Sequence, residues 1–455
     1  MEHTIAALAT PPGVGGIAVV RISGENAIEV ASKVFTPFHK EKTLEKAKGY
    51  TALFGSFIEN GLKRDEVIAL VFRAPHSYTG EDVVELSCHG GSEVAAALLR
   101  AVYTYGAAPA AKGEFTKRAF LSGRISLTEA ESVMDLINAN SQSAAKAAAS
   151  AMNGALYREI QSVQASLLTL CGHIAAFTDY PEEDVSALSP DEMLPILQSA
   201  HAILLQLIQN YDAGALLRRG VETAIVGSPN VGKSTLLNLL SGFERAIVTP
   251  LAGTTRDVVE QEIRLADITL TLADTAGIRE TEDVIEAEGI RRSFARMENA
   301  AFILAVFDAS VPATQQDIAL AEKCAGRPAL AVLNKSDLPV QFDTAAIAPY
   351  FKTIITISAE NRAFLQTVSQ AVLQALGAND YDTSGAALAN ERQLLAARAA
   401  CEALGDAISA VQNGITLDAV GVCIDDALAS LYTLTGENAS DAVIDEVFAK
   451  FCVGK

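Results

Sequence analysis

Apolar and polar positions change period several times along the chain, and each change marks a different kind of element. Near the start, GIAVVRISG reads as a buried strand ending in a turn. YTALFGSFIE and VIALVFRAP alternate as strands do, and SEVAAALLRAVYTYG reads as a helix closed by Gly106. AAPAAKGEFTKRAFLSGR reads as a polar, basic loop, which completes a mixed α/β domain over residues 1–118. No proline falls between Pro109 and Pro181, and Met152, Leu156, Ile160, Val163, Leu167, Cys171 and Ile174 step by four or three. That spacing predicts one apolar stripe along a long helix. Pro181, Pro190 and Pro195 punctuate an acidic connection.

Strands and helices alternate over residues 221–376, the pattern of a parallel α/β sheet. Helical spacing then returns at Leu394, Ala397, Cys401, Leu404, Ile408 and Val411. Ser440 is placed to N-cap a last helix carrying Val443, Val447 and Phe451. Helical segments therefore flank an α/β segment on both sides. The economical arrangement is one helical domain, from residues 119–218 and 379–455, with an α/β domain, 219–378, inserted in it. An inserted domain needs only closely spaced termini. Two separate bundles are the alternative.

Composition narrows the setting. A chain of 455 residues, half of them apolar, suffices for about three domains, each with a core. No apolar run reaches the roughly 18 residues that span a bilayer, and MEHTIAALATPPG lacks a basic leader region. The six cysteines are scattered with no CxxC pair, as in a reducing, cytoplasmic setting. The histidines form no metal-ligand cluster, and His76 and His89 read as loop residues. A net charge of −20 argues against binding nucleic acid through a broad basic surface. Such a partner would need a local basic patch or a second protein.

The inserted segment carries the chemistry. GSPNVGKS, residues 227–234, satisfies G-x-x-x-x-G-K-[ST] between a predicted strand and the helix LLNLLSG. Gly227 and Gly232 let backbone N–H groups from Asn230, Val231 and their neighbours face phosphates. Lys233 brings charge to the β- and γ-phosphates, and Ser234, followed by Thr235, offers a hydroxyl to Mg²⁺. Strand ITLTLAD ends in Asp274-Thr275-Ala276-Gly277, where the carboxylate reaches Mg²⁺ through water and Gly277 faces the γ-phosphate. Between them, Thr249-Pro250-Leu251-Ala252 leads into Gly253-Thr254-Thr255-Arg256-Asp257, a switch loop that brings Thr255 to the metal. Strand PALAVLN delivers Asn334-Lys335-Ser336-Asp337, and TIITIS ends in Ser358-Ala359-Glu360. A carboxylate at Asp337 accepts both N–H donors of the guanine edge, which adenine lacks, and a backbone N–H near Ala359 meets guanine O6. Five elements in this order specify guanine-nucleotide hydrolysis.

One substitution sets this domain apart from Ras-like ones. Ile278, not glutamine, follows Asp-Thr-Ala-Gly, so the water-orienting amide is missing. Asn230, with carbonyls of the 249–254 loop, is placed to hold a monovalent cation in the stead of an arginine finger. The acidic run Glu280 to Glu288 is placed to orient water.

The whole chain resembles the tRNA modification GTPase family called MnmE or TrmE. ATPPGVGGIAVVRISG, SYTGEDVVELSCHGG, KGEFTKRAFLSGRISLTEAES, the GTTRD and DTAGIRE segments and the terminal FCVGK carry the likeness in order. The resemblance implies the fold class: an N-terminal α/β folate-binding and dimerising domain, a helical domain, and a Ras-like P-loop G domain inserted into it. It implies a homodimer working with a flavin-dependent subunit called MnmG or GidA, in a heterotetramer that carries FAD only through that partner. It implies modification at C5 of the wobble uridine of certain tRNAs, with a 5,10-methylene- or 5-formyl-tetrahydrofolate cofactor, and G domains that pair when K⁺ and GTP are bound. By position, Asn230, Thr249, Leu251 and Thr254 would hold K⁺, Ser234 and Thr255 Mg²⁺, and Glu286 the attacking water. Arg21, Glu85, Arg124 and Lys455 would form the folate site. A carboxylate suits a pterin's amino and N3–H edge, and cations suit folate carboxylates. Arg124 stands where relatives can carry lysine. A thiolate adding at C6 activates C5 of uracil, and a flexible tail would carry Cys452 there. The bland alternative makes Cys452 a small residue packing the last helix.

Overall fold

The computed structural model describes residues 3–139, 141–179, 189–241, 261–265, 268–272, 297, 300–377 and 385–455. The chain divides into two compact units, residues 1–134 with 428–455, and residues 135–427.

In the first unit, strands β1 (Ile5–Leu8), β2 (Ile17–Ser23), β3 (Phe35–Pro37), β4 (Thr51–Glu59), β5 (Leu62–Phe72), β6 (Val83–His89) and β7 (Ala108–Pro109) form one sheet in the order β3-β4-β5-β6-β2-β1-β7. Its pairs are antiparallel except β1 with β7. Helices α1 (Ala27–Val34) and α2 (Ser92–Thr104) cover one face. Val20, Ile22, Phe57, Val67, Val71, Val84 and Leu86 are buried beneath them, each contributing about 1.5–3 kcal/mol. Alternation sends Arg21, Glu85, Phe54 and Ile68 to the opposite face.

Helix α3 (Glu114–Leu121) replaces the polar loop expected there. Its polar residues pair instead of facing water: the buried Arg118 bonds Glu114 at 2.9 Å and Glu81 at 3.0 Å. Phe115 and Ala119 are fully covered. His89 also departs from the loop reading, since it ends β6 and donates its N–H to Asp65 at 2.8 Å. Helix α4 (Leu127–Ile137) follows.

The second unit opens with α5 (Gln142–Met152) and α6 (Ala155–Asp179). The expected single stripe is therefore broken after Met152, where Gly154 takes φ +76°. Along α6, Leu156, Ile160, Val163, Leu167, Leu170 and Ile174 are buried. By averaged hydropathy Ala155–Thr178 is long and apolar enough to cross a bilayer, although no unbroken apolar run is that long. Arg158, Glu159 and Gln161 lie along it, the composition of a two-faced core helix. Helix α7 (Pro190–Gln209) takes in two of the three prolines assigned to a connection. Pro190 sits at the first helical position, where no N–H is required. Pro195 forgoes one bond inside the helix, which the buried row Met193, Leu197, Ala200, Leu204 and Leu207 outweighs. Helix α8 (Tyr211–Arg219) leads into the α/β segment.

There β8 (Val221–Val226), α9 (Lys233–Ser241), β9 (Gln261–Leu265), β10 (Ile268–Leu272), β11 (Phe302–Asp308), α10 (Gln315–Cys324), β12 (Ala329–Asn334), β13 (Thr353–Thr356) and α11 (Leu365–Ala375) follow in turn. The sheet order is β13-β12-β11-β8-β10-β9, parallel except for β9 with β10. Beyond it come α12 (Glu391–Gln412), α13 (Leu417–Thr435) and α14 (Asp441–Ala449). Helix α12 packs along α7, and Cys171 and Thr178 of α6 bond Asp425 and Asp418 of α13. Helices from both sides of the sheet thus pack together, which makes one helical domain with an inserted α/β domain. Ser440 stands at the start of α14 without a side-chain capping bond, and Phe451 lies just past the end of the helix.

Candidate functional site

In the inserted domain, β8 lies between β11 and β10, and the chain leaves it on one side and returns on the other. Such a switch point opens a crevice at the carboxyl ends of the strands. The 227–234 loop sits there. Asn230 and Gly232 take φ +61° and +95°, which turns successive amides inward. Gly232 admits no side chain, since a Cβ would stand 2.1 Å from the Asn334 amide nitrogen. Helix α9 begins at Lys233, so its positive end faces the loop. Lys233 Nζ donates to the carbonyls of Gly227 at 2.9 Å and Ser228 at 2.8 Å, a position arched over the loop. Ser234 and Asn230 are exposed at the mouth, Thr235 is half-buried and Val231 is buried below. Ser228 Oγ donates to Asp317 at 3.2 Å, tying the loop to the first turn of α10.

The base side is built on β12. Asn334 is 3% exposed. Its Nδ2 donates to Val231 O at 2.9 Å, and its Oδ1 accepts the Ala359 N–H at 2.8 Å. One amide thus joins the phosphate loop, β12 and the turn after β13. The Ala359 N–H expected at guanine O6 is here donated to Asn334. Lys335 takes φ +65° and pairs with Asp308 at 2.6 Å. Burial pushes the Asp308 carboxyl up, but bonds from Lys335 and Ser310 and the Lys335 charge prevail and hold it below its usual range. Asp337 is exposed at the turn and Ser358 is buried. Sequence reading missed Asp308 and Asp317, because nothing marks a strand-end or helix-cap aspartate as part of a distant loop.

Thr249, Pro250, Leu251, Ala252, Gly253, Thr254, Thr255, Asp274, Thr275, Ala276, Gly277, Ile278 and Glu286 lie outside the described residues. Among the described residues no group of three or more His, Cys, Asp or Glu is placed to hold a metal.

A second cluster forms in the first unit. Arg21 Nε bonds Glu85 at 2.8 Å across β2 and β6. The Arg21 guanidinium lies 5.6 Å from the Tyr78 ring centre and 5.5 Å from that of Phe115. Arg124 lies 5.4 Å from the same Tyr78 ring and donates to Tyr78 O at 2.7 Å. The chain's end closes the cluster: Arg21 donates to Gly454 O at 3.2 Å, Gly113 N to Cys452 O at 3.3 Å and Phe115 N to Lys455 O at 3.2 Å. Arg21, Glu85, Arg124 and the backbone of Lys455 are thus drawn together from four places in the sequence. Tyr78, their common neighbour, was not singled out. It is braced by Thr116 at 2.9 Å, and Glu81 of the same loop by Arg118 and Ser23. The SYTGED string was its only visible signal.

The tail expected to carry Cys452 lies docked on the first unit through these bonds. Beyond those bonds, Gly454 takes φ +97° with a Cβ position 2.3 Å from Leu8 O, so only glycine lets the chain pass. Cys452 itself is exposed. It does not pack the last helix, a task that falls to Phe448 and Phe451, with ring centres 5.1 Å apart. The other thiols are less available. Burial, with the charge and hydrogen bond of Asp425, pushes Cys171 up to about 12, and burial pushes Cys324 up to about 11.

A parallel sheet with a phosphate loop at its switch point, and an Asn-Lys-Ser-Asp turn tied to that loop, defines a P-loop GTPase. Comparison with known proteins narrows the class. Residues 127–452 match the model of the MnmE helical domain, and residues 4–124 that of the GTP-binding protein TrmE N-terminus. The tRNA modification GTPase MnmE of Listeria welshimeri is 39% identical over 456 residues, covering 99% of both chains. That of Thermoanaerobacter pseudethanolicus is 37% identical over 457 residues, with 99% of both covered. Among solved structures, Era of Aquifex aeolicus bound to GDP and AlF4⁻ aligns with 40% of this chain and 66% of its own, at 28% identity and a TM-score of 0.26. The chain belongs to the MnmE (TrmE) family of tRNA modification GTPases.

Proposed function

We propose that this protein is a K⁺-activated GTPase that acts as a homodimer with a flavin-dependent MnmG/GidA-type subunit. Together they add an aminomethyl or carboxymethylaminomethyl group to C5 of the wobble uridine of certain tRNAs, drawing one carbon from a tetrahydrofolate. The observation that carries the reading is the docking of the terminal Cys-Val-Gly-Lys against Arg21, the ion-pair partner of Glu85, in a chain that also carries a guanine-nucleotide site. A stand-alone regulatory GTPase has no need of such a cluster.

At the nucleotide, the loop amides and Lys233 bind phosphates, Ser234 offers its hydroxyl to Mg²⁺, and Asp337 selects guanine. Asn230 is exposed at the loop's mouth with its backbone already in the left-handed region, a position suited to a K⁺ ligand. Thr249, Leu251 and Thr254 would complete that ligand set through their carbonyls, Thr255 would join Ser234 on Mg²⁺, and Glu286 would orient water in place of the glutamine absent at Ile278. Folate, when bound, supplies the one-carbon unit. Glu85 binds the donor edge of its pterin, Arg124 and Lys455 bind carboxylates, and Arg21 fixes Glu85. The exposed Phe54 and Ile68, on the same sheet face as Arg21 and Glu85, support a dimer formed through that face. Hydrolysis would bias paired against open G domains and act on the chemistry through the helical domain. The domain limits that go with this reading are 1–118, 119–218, 219–378 and 379–455.

The test is mass spectrometry of wobble nucleosides from cells lacking the protein. Loss of the C5 substituent, restored by wild type but not by Glu85→Gln, is expected. An unchanged nucleoside profile in the deletion strain would sink the reading.

A further inference from the structure

Asp317 is a carboxylate behind the phosphate loop that helix capping does not fully explain. It is 6% exposed, in the first turn of α10. Its Oδ2 accepts the Thr314 N–H at 3.0 Å and the Thr314 hydroxyl at 2.7 Å, and Asp317 N donates back to Thr314 Oγ1 at 3.2 Å. One oxygen thus completes the capping box of α10. The other, Oδ1, is spent outside the helix, where it accepts the Ser228 hydroxyl at 3.2 Å. Ser228 is the second residue of the phosphate loop, and its backbone has a task of its own. Lys233 Nζ rests on the carbonyls of Gly227 and Ser228, at 2.9 and 2.8 Å. Those oxygens belong to the two peptide units that meet at Ser228, so a rotation of Ser228 moves both. The connection that carries Asp317 is tied in turn to the base side: Ala309 N donates to Asn334 O at 2.8 Å, and Asp308 pairs with Lys335. Asp317 therefore holds the loop from a stretch of chain that the base turn also holds.

We propose that Asp317 is a positioning residue for GTP hydrolysis: through Ser228 it fixes the two carbonyls on which Lys233 rests, and so sets where Lys233 meets the phosphates. The proposal rests on the nucleotide site described above and goes beyond it by giving a part in the reaction to a residue outside the GTPase motifs. Asp317 needs no contact with the nucleotide for this. A lysine held a little out of place still attracts a bound diphosphate, because its charge acts over several ångströms. Charge that develops on the transferring phosphoryl group is more demanding, since a preorganised cation acts only where it is already aimed. Loss of the Asp317–Ser228 bond should therefore fall on turnover more than on binding.

The experiment is a double-mutant cycle in the full-length protein, with Ser228→Ala, Asp317→Ala and the two combined. It reads kcat and KM for GTP in KCl, the Kd of fluorescent GDP, and Tm. Ser228→Ala leaves the capping box of α10 untouched, so it keeps the test open even if Asp317→Ala folds poorly. It should lower kcat about tenfold, the scale of one hydrogen bond to a charged group, while the Kd of GDP stays within about threefold and Tm holds. Asp317→Ala should lower kcat by the same factor and should also lower Tm, because it removes the cap as well. The double variant should be no slower than either single one, since both break one link. Ser228→Thr, which keeps the hydroxyl, should regain most of the lost kcat. Three results would overturn the proposal and leave the nucleotide site standing: wild-type kcat in Ser228→Ala, losses in kcat that multiply in the double variant, or a loss of kcat in Ser228→Ala matched by equal losses in GDP affinity and a fall in Tm. Wild-type protein that neither binds GDP nor hydrolyses GTP would overturn the nucleotide site and the proposal together.

Discussion

Truncating Asn334 to alanine removes a side chain that joins the phosphate loop to the turn holding Ser358 and Ala359. The size of the effect follows from two bonds, 2.9 Å to Val231 O and 2.8 Å from Ala359 N, made by an amide that is 3% exposed. Alanine leaves a buried carbonyl and a buried N–H unpaired, at about 1–3 kcal/mol each. Partial entry of water into the vacated volume brings the sum to about 2–4 kcal/mol. Since both orphaned groups border the nucleotide crevice, most of this should fall on binding, as roughly 30- to 1,000-fold weaker GDP. Fluorescent GDP titration measures the affinity, and thermal melts with and without saturating GDP measure how much of the loss is fold stability. Asn334→Asp is the sharper control. It keeps an acceptor for Ala359 N but turns a second oxygen toward Val231 O, so it should bind no better than alanine. Asp337→Asn should behave differently, retaining phosphate binding while exchanging a preference for GTP for one for xanthosine triphosphate. GDP affinity within twofold of wild type in Asn334→Ala, with an unchanged GDP-induced rise in Tm, would refute the bridging role.

Asn230→Ala should retain nucleotide binding and lose K⁺ stimulation of hydrolysis, read as phosphate release in K⁺ against Na⁺; wild-type stimulation in the variant would place the ion elsewhere. The Asp308 carboxyl is held below its ordinary value of 3.8, so its contribution to stability is complete above that value and is lost as pH falls through the lowered one. The Tm deficit of Asp308→Asn should accordingly be constant from about pH 5 to 8 and shrink below about pH 4, and a deficit that grows on acidification would reverse the assignment. Iodoacetamide near neutral pH should label the exposed Cys452 well before Cys171 or Cys324, followed by peptide mass spectrometry. Cys452→Ser should leave GTP hydrolysis intact and lower tRNA modification, whereas full modification would leave that thiol without a chemical part.

Local sequence determined a good deal of this molecule. Alternation in YTALFGSFIE and VIALVFRAP placed two strands, because a one-sided sheet buries every second residue. GSPNVGKS and NKSD announced their turns, since φ above zero and close phosphate approach need particular residues at fixed spacing. Other features depend on partners far away in the chain. KGEFTKRAFLSGR reads as a polar loop until Glu81 and Glu114 are seen to neutralise Arg118, whereupon it is a helix. The start of that helix is set from outside, because Gly113 sits 2.9 Å from Phe448 O when given a Cβ. Pro195 looks like a break until the buried face of α7 is known to outweigh one lost bond. The same holds for Tyr78, Asp308, Asp317 and the tail. A hydrogen bond between Arg21 and Gly454, 433 positions apart, leaves no periodicity in the sequence, since what creates it is the sheet that brings the two ends of the chain together.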